Sequence, residues 1–214
     1  MTEQFKSITE TQCTNPPARY DDLTVLMLNC TLTRSPKMSH TEGLLHRADE
    51  VFKANGVASE ILRPVDYEIP AGLEQDYAGE DGYERDDWPN IQAKIDACDI
   101  LIIGTSVWLG EKSSVCNRVL ERMYGYTHSF NDKGQYRDYG KVGATLITGN
   151  EDGVKDGAVV GLLVALPWVS TSHLVALVKF PQSTYPMHSL SKVSLHRASF
   201  KIRWSKTSTV PSNA

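Results

Sequence analysis

Residues 31 to 41 read Thr31-Leu32-Thr33-Arg34-Ser35-Pro36-Lys37-Met38-Ser39-His40-Thr41. Hydroxyls and a permanent guanidinium cation donate hydrogen bonds without adding negative charge, which is the donor set a phosphate dianion requires. Ser39-x-x-Glu42 is a capping box, so a helix starts at the end of this stretch. A helix N-terminus adds unpaired amides and the positive end of the helix dipole. Thr31, Thr33, Arg34, Ser35, Ser39 and Thr41 are therefore candidate phosphate ligands. Two further segments have related chemistry. Gly104-Thr105-Ser106-Val107-Trp108-Leu109-Gly110 offers an aromatic plane at Trp108 and a run of backbone able to meet the polar edge of a flat ring. Thr148-Gly149-Asn150-Glu151-Asp152-Gly153 offers glycines for close backbone approach, and Asn150 and Glu151 to bond a pyrimidine-like edge. Each segment alone also has a plainer reading: Ser39 as a helix cap, Trp108 as core, Asp152 as a turn cap. What counts is that the three recur together.

Each follows a run suited to a buried parallel strand, at 23–30, 100–104 and 141–147. In an open parallel α/β sheet, ligands bind beyond the carboxyl ends of the strands where strand order reverses. A further strand is expected at 57–62. Helices are expected after Ser39, with Leu44, Leu45, Ala48, Val51 and Phe52 on one face and Asn55-Gly56 as the stop; after Asp87 as cap, with Trp88, Ile91, Ile95 and Cys98 buried; and after Ser114 as cap, with Val115, Cys116, Val119, Leu120 and Met123 inward. Residues 65–87, with nine carboxylates, Pro70 and three glycines, read as a long loop, either functional or a solvated excursion. The order β-α-β-α-β-α-β to residue 153 predicts a parallel sheet. Leu174 to Phe180 is a possible fifth strand. Residues 1–22 read as a polar arm, 23–180 as the folded domain, and 181–214 as a basic, Ser-rich tail that packs poorly.

The residues resemble a known family, the flavodoxin-like NAD(P)H-dependent FMN reductases and quinone reductases, over roughly 23–155. The resemblance is carried by T-L-x-x-S-P-x-x-S-x-T at 31–41, G-T-x-x-W-L-G-x-x-S-S at 104–114, V-L-E-R-M at 119–123 and T-G-N-E-D-G-x-K at 148–155. It implies a flavodoxin-like three-layer sandwich around a central parallel sheet. It also implies bound FMN, NADPH or NADH as co-substrate, and a quinone, flavin or other small acceptor. The phosphate would lie at Thr31–Thr41. The ring would lie between Thr105, Ser106, Val107, Trp108, Leu109 and Gly110 on one side and Thr148, Gly149, Asn150, Glu151 and Gly153 on the other. The cofactor carries the chemistry, so no catalytic side chain is assigned. Two departures stand out. Ser106 replaces the Pro of many relatives, and the family pattern does not continue after Lys155. A non-enzymatic electron carrier and a protein impaired in FMN binding remain open alternatives.

Composition narrows the partners. The chain has 214 residues, 41% apolar, and a net charge of −4, which argues against bulk nucleic-acid binding. All 26 acidic residues lie at or before Asp156, whereas the last 58 residues carry six basic residues and no acidic one. Together with the lost family pattern, this marks an atypical carboxyl end, either frame-altered or diverged. Residues 157–178 are uncharged, but Pro167 and Ser170-Thr171-Ser172-His173 interrupt them, so no membrane span is expected. The four cysteines form no C-x-x-C pair and read as free thiols of a reducing compartment. The N-terminus has no apolar leader, and a cytoplasmic location is expected. The six histidines have no partner at ligand spacing, so no metal is expected. Assembly as a homodimer is possible.

Overall fold

A computed structural model describes residues 20–79, 82–130 and 132–149, and the backbone of a strand at 173–179. Its elements are β1 (Thr24–Cys30), α1 (His40–Ala54), β2 (Ala58–Leu62), α2 (Trp88–Ala97), β3 (Ile100–Trp108), β4 (Glu111–Lys112), α3 (Ser114–Tyr124), β5 (Val142–Gly149) and β6 (His173–Lys179). The sheet order is β2-β1-β3-β5-β6, with β4 folded back antiparallel on the end of β3. The five long strands are parallel, and β1 meets β3 from Val25↔Ile100 to Cys30↔Thr105. Without the β4 hairpin this is the doubly wound order 2-1-3-4-5 of flavodoxin-like folds, whose direction reverses between β1 and β3.

Period-two alternation divides the core. Val25, Met27, Ile102, Ala144 and Leu146 pack on Leu44 and Leu45 of α1. Leu26, Leu28, Leu101 and Ile103 face the other way, onto Trp88, Ile91 and Ile95 of α2 and Val119 and Leu120 of α3. Among the described residues, one helix covers one face of the sheet and two cover the other, which gives three layers. Gly104 lies where α1 comes closest to β3, since a Cβ there would stand 3.0 Å from side-chain atoms of both Leu45 and Thr41.

The structure moves several expected boundaries. β3 does not stop at residue 104; it continues to Trp108, because β5 still pairs at Ser106 and β4 returns against Val107 and Trp108. The second loop is thus a strand end and a hairpin tip, with Leu109 (φ 51°) and Gly110 (φ 84°) in the left-handed region that a two-residue hairpin turn demands. Thr148 and Gly149 likewise end β5. The fifth strand spans His173–Lys179 and pairs parallel with β5. Ser113, not Ser114, caps α3; its Oγ accepts from Cys116 N at 3.0 Å and donates to Cys30 O at 2.5 Å. Asp87 makes no cap bond to α2, because its carboxylate accepts instead from Glu68 N at 2.9 Å and Arg85 Nε at 2.7 Å.

The acidic stretch 65–87 is anchored. A 3-10 turn at Pro64–Asp66 starts it, and fully buried Arg122 gathers the remainder. Its guanidinium donates to Pro70 O, Gln75 O and Asp86 Oδ2 at 3.1, 3.2 and 2.6 Å. It also lies 5.0 and 5.8 Å from the ring centroids of Tyr77 and Trp88. Cys30, Cys98 and Cys116 are buried free thiols. Burial pushes Cys98 up to about 11, and a hydrogen bond that the Cys30 thiol donates to Cys116, with burial, raises Cys30 well above its ordinary value. The expectations for residues 1–19, 150–172 and 180–214, the basic tail among them, fall outside the described residues.

Candidate functional site

The capping box predicted at Ser39 is present. Ser39 Oγ accepts from Glu42 N at 3.1 Å, and the Glu42 carboxylate accepts from Ser39 N at 3.4 Å. With its N-terminus fixed, α1 points its positive dipole end at the switch point between β1 and β3. The 31–39 loop wraps this end. Thr31, buried at the end of β1, accepts from Thr33 N at 3.2 Å. Thr33 and Ser39 are half-buried, and Arg34 is exposed.

Ser35 is held from outside. Its amide and hydroxyl donate to the two carboxylate oxygens of Asp66 at 3.0 and 2.5 Å. Partial burial pushes the Asp66 carboxyl up, but the Ser35 bonds, with Arg63 and Arg34 nearby, hold it below its ordinary value overall. Arg63, directly after β2, grips the same loop from beneath. It donates to Thr33 O at 3.1 Å and Lys37 O at 3.0 Å, and pairs with Glu42.

Alternation along the strands gives the site a polar floor. Asn29, Ser106 and Thr148 continue the α1-facing rows of β1, β3 and β5. Thr41 and Thr148 join the first segment to the third, hydroxyl to hydroxyl at 2.9 Å. The Ser106 hydroxyl and both polar atoms of the Asn29 side chain are buried without a hydrogen-bond partner among the described residues. Thr105 is turned to the opposite face, where its hydroxyl accepts from Ser113 N at 3.2 Å. Val107 is buried, while Trp108 is 54% and Leu109 93% exposed, so Trp108 is not a core residue. Together with Leu32 and Met38 they expose apolar surface on the two segments that flank the switch point. Asn150, Glu151 and Gly153 lie outside the described residues.

These groups suit a flavin phosphate. The first segment offers donors and no carboxylate of its own, and the floor holds an orphaned hydroxyl. At Gly149 a Cβ would stand 3.0 Å from Val107 Cβ, so the third segment can approach β3 only without a side chain there. Sequence reasoning missed Arg63, Asp66, Asn29 and Ser113. The rule that ligands gather beyond strand ends applies equally to β2, and would have drawn attention to Arg63. Among the described residues, no group of three or more His, Cys, Asp or Glu is placed to hold a metal, and no helix is long and apolar enough to cross a membrane.

Comparison with known proteins gives the same picture. The chain is 33% identical over 180 residues to 8-demethyl-8-aminoriboflavin-5'-phosphate synthase of Streptomyces davaonensis, covering 81% of this chain and 70% of that protein. It is 43% identical over 143 residues to a divalent metal cation transporter, MntH, of Mycobacterium bovis. That match takes in 67% of this chain, which spans only 21% of the transporter's length. Among solved structures it resembles RosB with bound 8-demethyl-8-formylriboflavin-5'-phosphate. The TM-score is 0.68 at 33% identity, over 77% of this chain and 68% of that one. An NAD(P)H:quinone oxidoreductase from Methanothermobacter marburgensis shares the fold, with a TM-score of 0.51 at 14% identity over 75% and 87% of the two chains. The NADPH-dependent FMN reductase family matches residues 23–176, past residue 155 where the motif resemblance ends. The chain therefore belongs to the NADPH-dependent FMN reductases, a flavodoxin-like family that works with FMN and a reduced nicotinamide.

Proposed function

We propose that this chain is an oxidoreductase that draws reducing equivalents from NADH or NADPH through FMN and delivers them to a quinone, a free flavin or another small acceptor. One observation carries the reading: a capped helix N-terminus and a hydroxyl-rich, carboxylate-free loop converge at the β1/β3 switch point. On this reading residues 23–180 form the working unit. Thr31, Thr33, Arg34, Ser35, Ser39 and Thr41 hold the phosphate end. The backbone from Thr105 to Gly110, the face of Trp108, and Thr148 and Gly149 border the ring, with Asn150, Glu151 and Gly153 completing the third segment. When bound, FMN supplies the acceptance of two electrons from the nicotinamide and their release to the acceptor. The residues of the chain bind, orient and exclude water. The exposed Trp108 and Leu109 offer an apolar wall that a flat acceptor can stack on. No side chain is required to carry a proton.

The test is an absorbance spectrum of the full chain reconstituted with FMN, before and after anaerobic addition of NADH or NADPH. Flavin absorbance that bleaches, and returns on adding a quinone, is the expected outcome. Colour that persists with both nucleotides identifies a carrier, and a chain that FMN cannot colour identifies an impaired protein.

A second reading has one observation in its favour. RosB superposes with a TM-score of 0.68, against 0.51 for the quinone oxidoreductase, and it holds a modified riboflavin phosphate as an intermediate. Here riboflavin phosphate on the same residues is substrate, not cofactor. Mass spectrometry of the flavin recovered after turnover separates the two: an unchanged mass keeps the reductase reading, and an altered one replaces it.

A further inference from the structure

Arg63 is 7% exposed and lies directly behind the 31–39 loop. Its Nη1 donates to Thr33 O at 3.1 Å and Lys37 O at 3.0 Å. Its Nη2 donates to the carboxylate of Glu42, the residue that completes the capping box of α1. One guanidinium thus fixes two carbonyls of the loop and the helix start together. Both peptides that follow those carbonyls are trans. In a trans peptide the carbonyl and the next amide point in opposite directions. Turning the carbonyls of Thr33 and Lys37 inward to Arg63 therefore turns the amides of Arg34 and Met38 outward, and neither has a backbone hydrogen-bond partner among the described residues.

We propose that Arg63 is a positioning residue for phosphate recognition. By holding these two peptides it presents the outward amides that make the site prefer a phosphorylated flavin to riboflavin, and it does so without touching the ligand. Both its terminal nitrogens are engaged by the chain itself, Nη1 by Thr33 and Lys37 and Nη2 by Glu42. The inference rests on the flavin phosphate lying at residues 31–41.

The experiment titrates the full chain with FMN and, separately, with riboflavin, following the quenching of flavin fluorescence, for the wild type, Arg63→Lys and Arg63→Gln. Losing charged hydrogen bonds that organise a site lowers affinity by about tenfold or more. The expected result is an FMN affinity about tenfold weaker in R63Q, a smaller loss in R63K, and an unchanged riboflavin affinity. Lysine keeps the charge beside Glu42 but cannot hold both carbonyls as the planar fork does. R63K thus decides the matter alone if R63Q does not fold. Equal losses for both flavins would make Arg63 merely structural, and an unaltered preference for FMN would leave it no role; either overturns the proposal. A wild type that binds neither flavin, or both equally, removes the phosphate placement itself. That is distinct from a wild-type preference that R63K leaves intact, which removes only the role of Arg63.

Discussion

Two buried arginines each organise an irregular region of this protein, and they do so differently. Arg122 is sealed at 0% exposure, paired with an equally sealed Asp86 and placed beside the rings of Tyr77 and Trp88. It ties down the acidic excursion after β2, far along the chain from the hydroxyl-rich loop. Arg63 sits at the edge of the switch point, and its partner Glu42 retains 17% exposure. The loop it grips stays open on the other side, with Arg34, Lys37 and Met38 exposed. The same side chain makes a closed, structural knot in one region and a preorganised open surface in the other. The difference lies in what surrounds the guanidinium. Arg122 is enclosed by two aromatic rings, a sealed carboxylate and the carbonyls of Pro70 and Gln75, whereas Arg63 holds the carbonyls of Thr33 and Lys37 in a loop whose far side stays exposed.

The largest expected effect tests the closed knot. Arg122→Leu leaves Asp86 as an uncompensated buried carboxylate, and breaking a buried pair from one side costs about 3–5 kcal/mol. Urea denaturation should show that loss, and hydrogen exchange should show residues 70–86 losing protection while β1 and β3 keep theirs. If 70–86 remain protected in the variant, Arg122 is not what anchors the excursion and the contrast with Arg63 collapses.

A smaller effect sharpens the same point. At Gly125, just past α3, a Cβ would stand 2.1 Å from the carbonyl oxygen of Leu73. Gly125→Ala must push the excursion off the helix end, at about 1–3 kcal/mol of overpacking. The midpoint of thermal unfolding should fall, and flavin binding should not change if the excursion stands apart from the site. On the open side, Ser39→Ala removes the cap of α1 and should cost about 1 kcal/mol. Here the flavin titration should respond as well as the melt.

How much of this was legible in the sequence follows the range of the interaction that sets each feature. The capping box at Ser39 and Glu42, the stop at Asn55-Gly56 and the buried stripe of Trp88, Ile91 and Ile95 depend on neighbours within a turn or two, and they are where the pattern puts them. That the long strands run parallel follows from the alternation of elements. The end of β3 was misplaced because Gly104 resembles the start of a loop; it is glycine because α1 crosses there, a contact 59 or more residues away in sequence. The α3 cap falls at Ser113 instead of Ser114, and Asp87 stands at the N-cap of α2 without capping it, for a similar reason. Ser113 is selected by the carbonyl of Cys30, and Asp87 is drawn off by Glu68 and Arg85. Arg63 and Arg122 were invisible as anchors. A buried cation gives no periodic signal, and its partners are carbonyls at positions 33, 37, 70 and 75, whose side chains say nothing about it. The candidate phosphate ligands could be named from residue type; what holds them in shape could not.

The smallest expected effect concerns the outer edge of the open side, where Asp66 holds Ser35. Asp66 is exposed, unlike Asp86, so its contribution is screened by water and amounts to roughly 0.5 kcal/mol at most. Its sign is nevertheless determined. Burial raises the carboxyl, but the hydroxyl and amide of Ser35 and the charges of Arg63 and Arg34 bring it below 3.8 overall. A carboxyl depressed in the folded state contributes stability that is complete above its unfolded value, about 3.9, and is lost as pH falls through the lower folded value. Asp66→Asn keeps an oxygen for Ser35 to bond but removes the charge, so the variant should lack this increment. Urea midpoints measured from pH 7 down to about pH 2.5 should show wild type above D66N at neutral pH, and the two converging below about pH 4. A gap that stays constant across that range would mean that the Ser35 bonds do not depend on charge. Asp66 would then act on the loop only as a neutral acceptor, and Arg63 would be the charged anchor of the open side, as Arg122 is of the closed side.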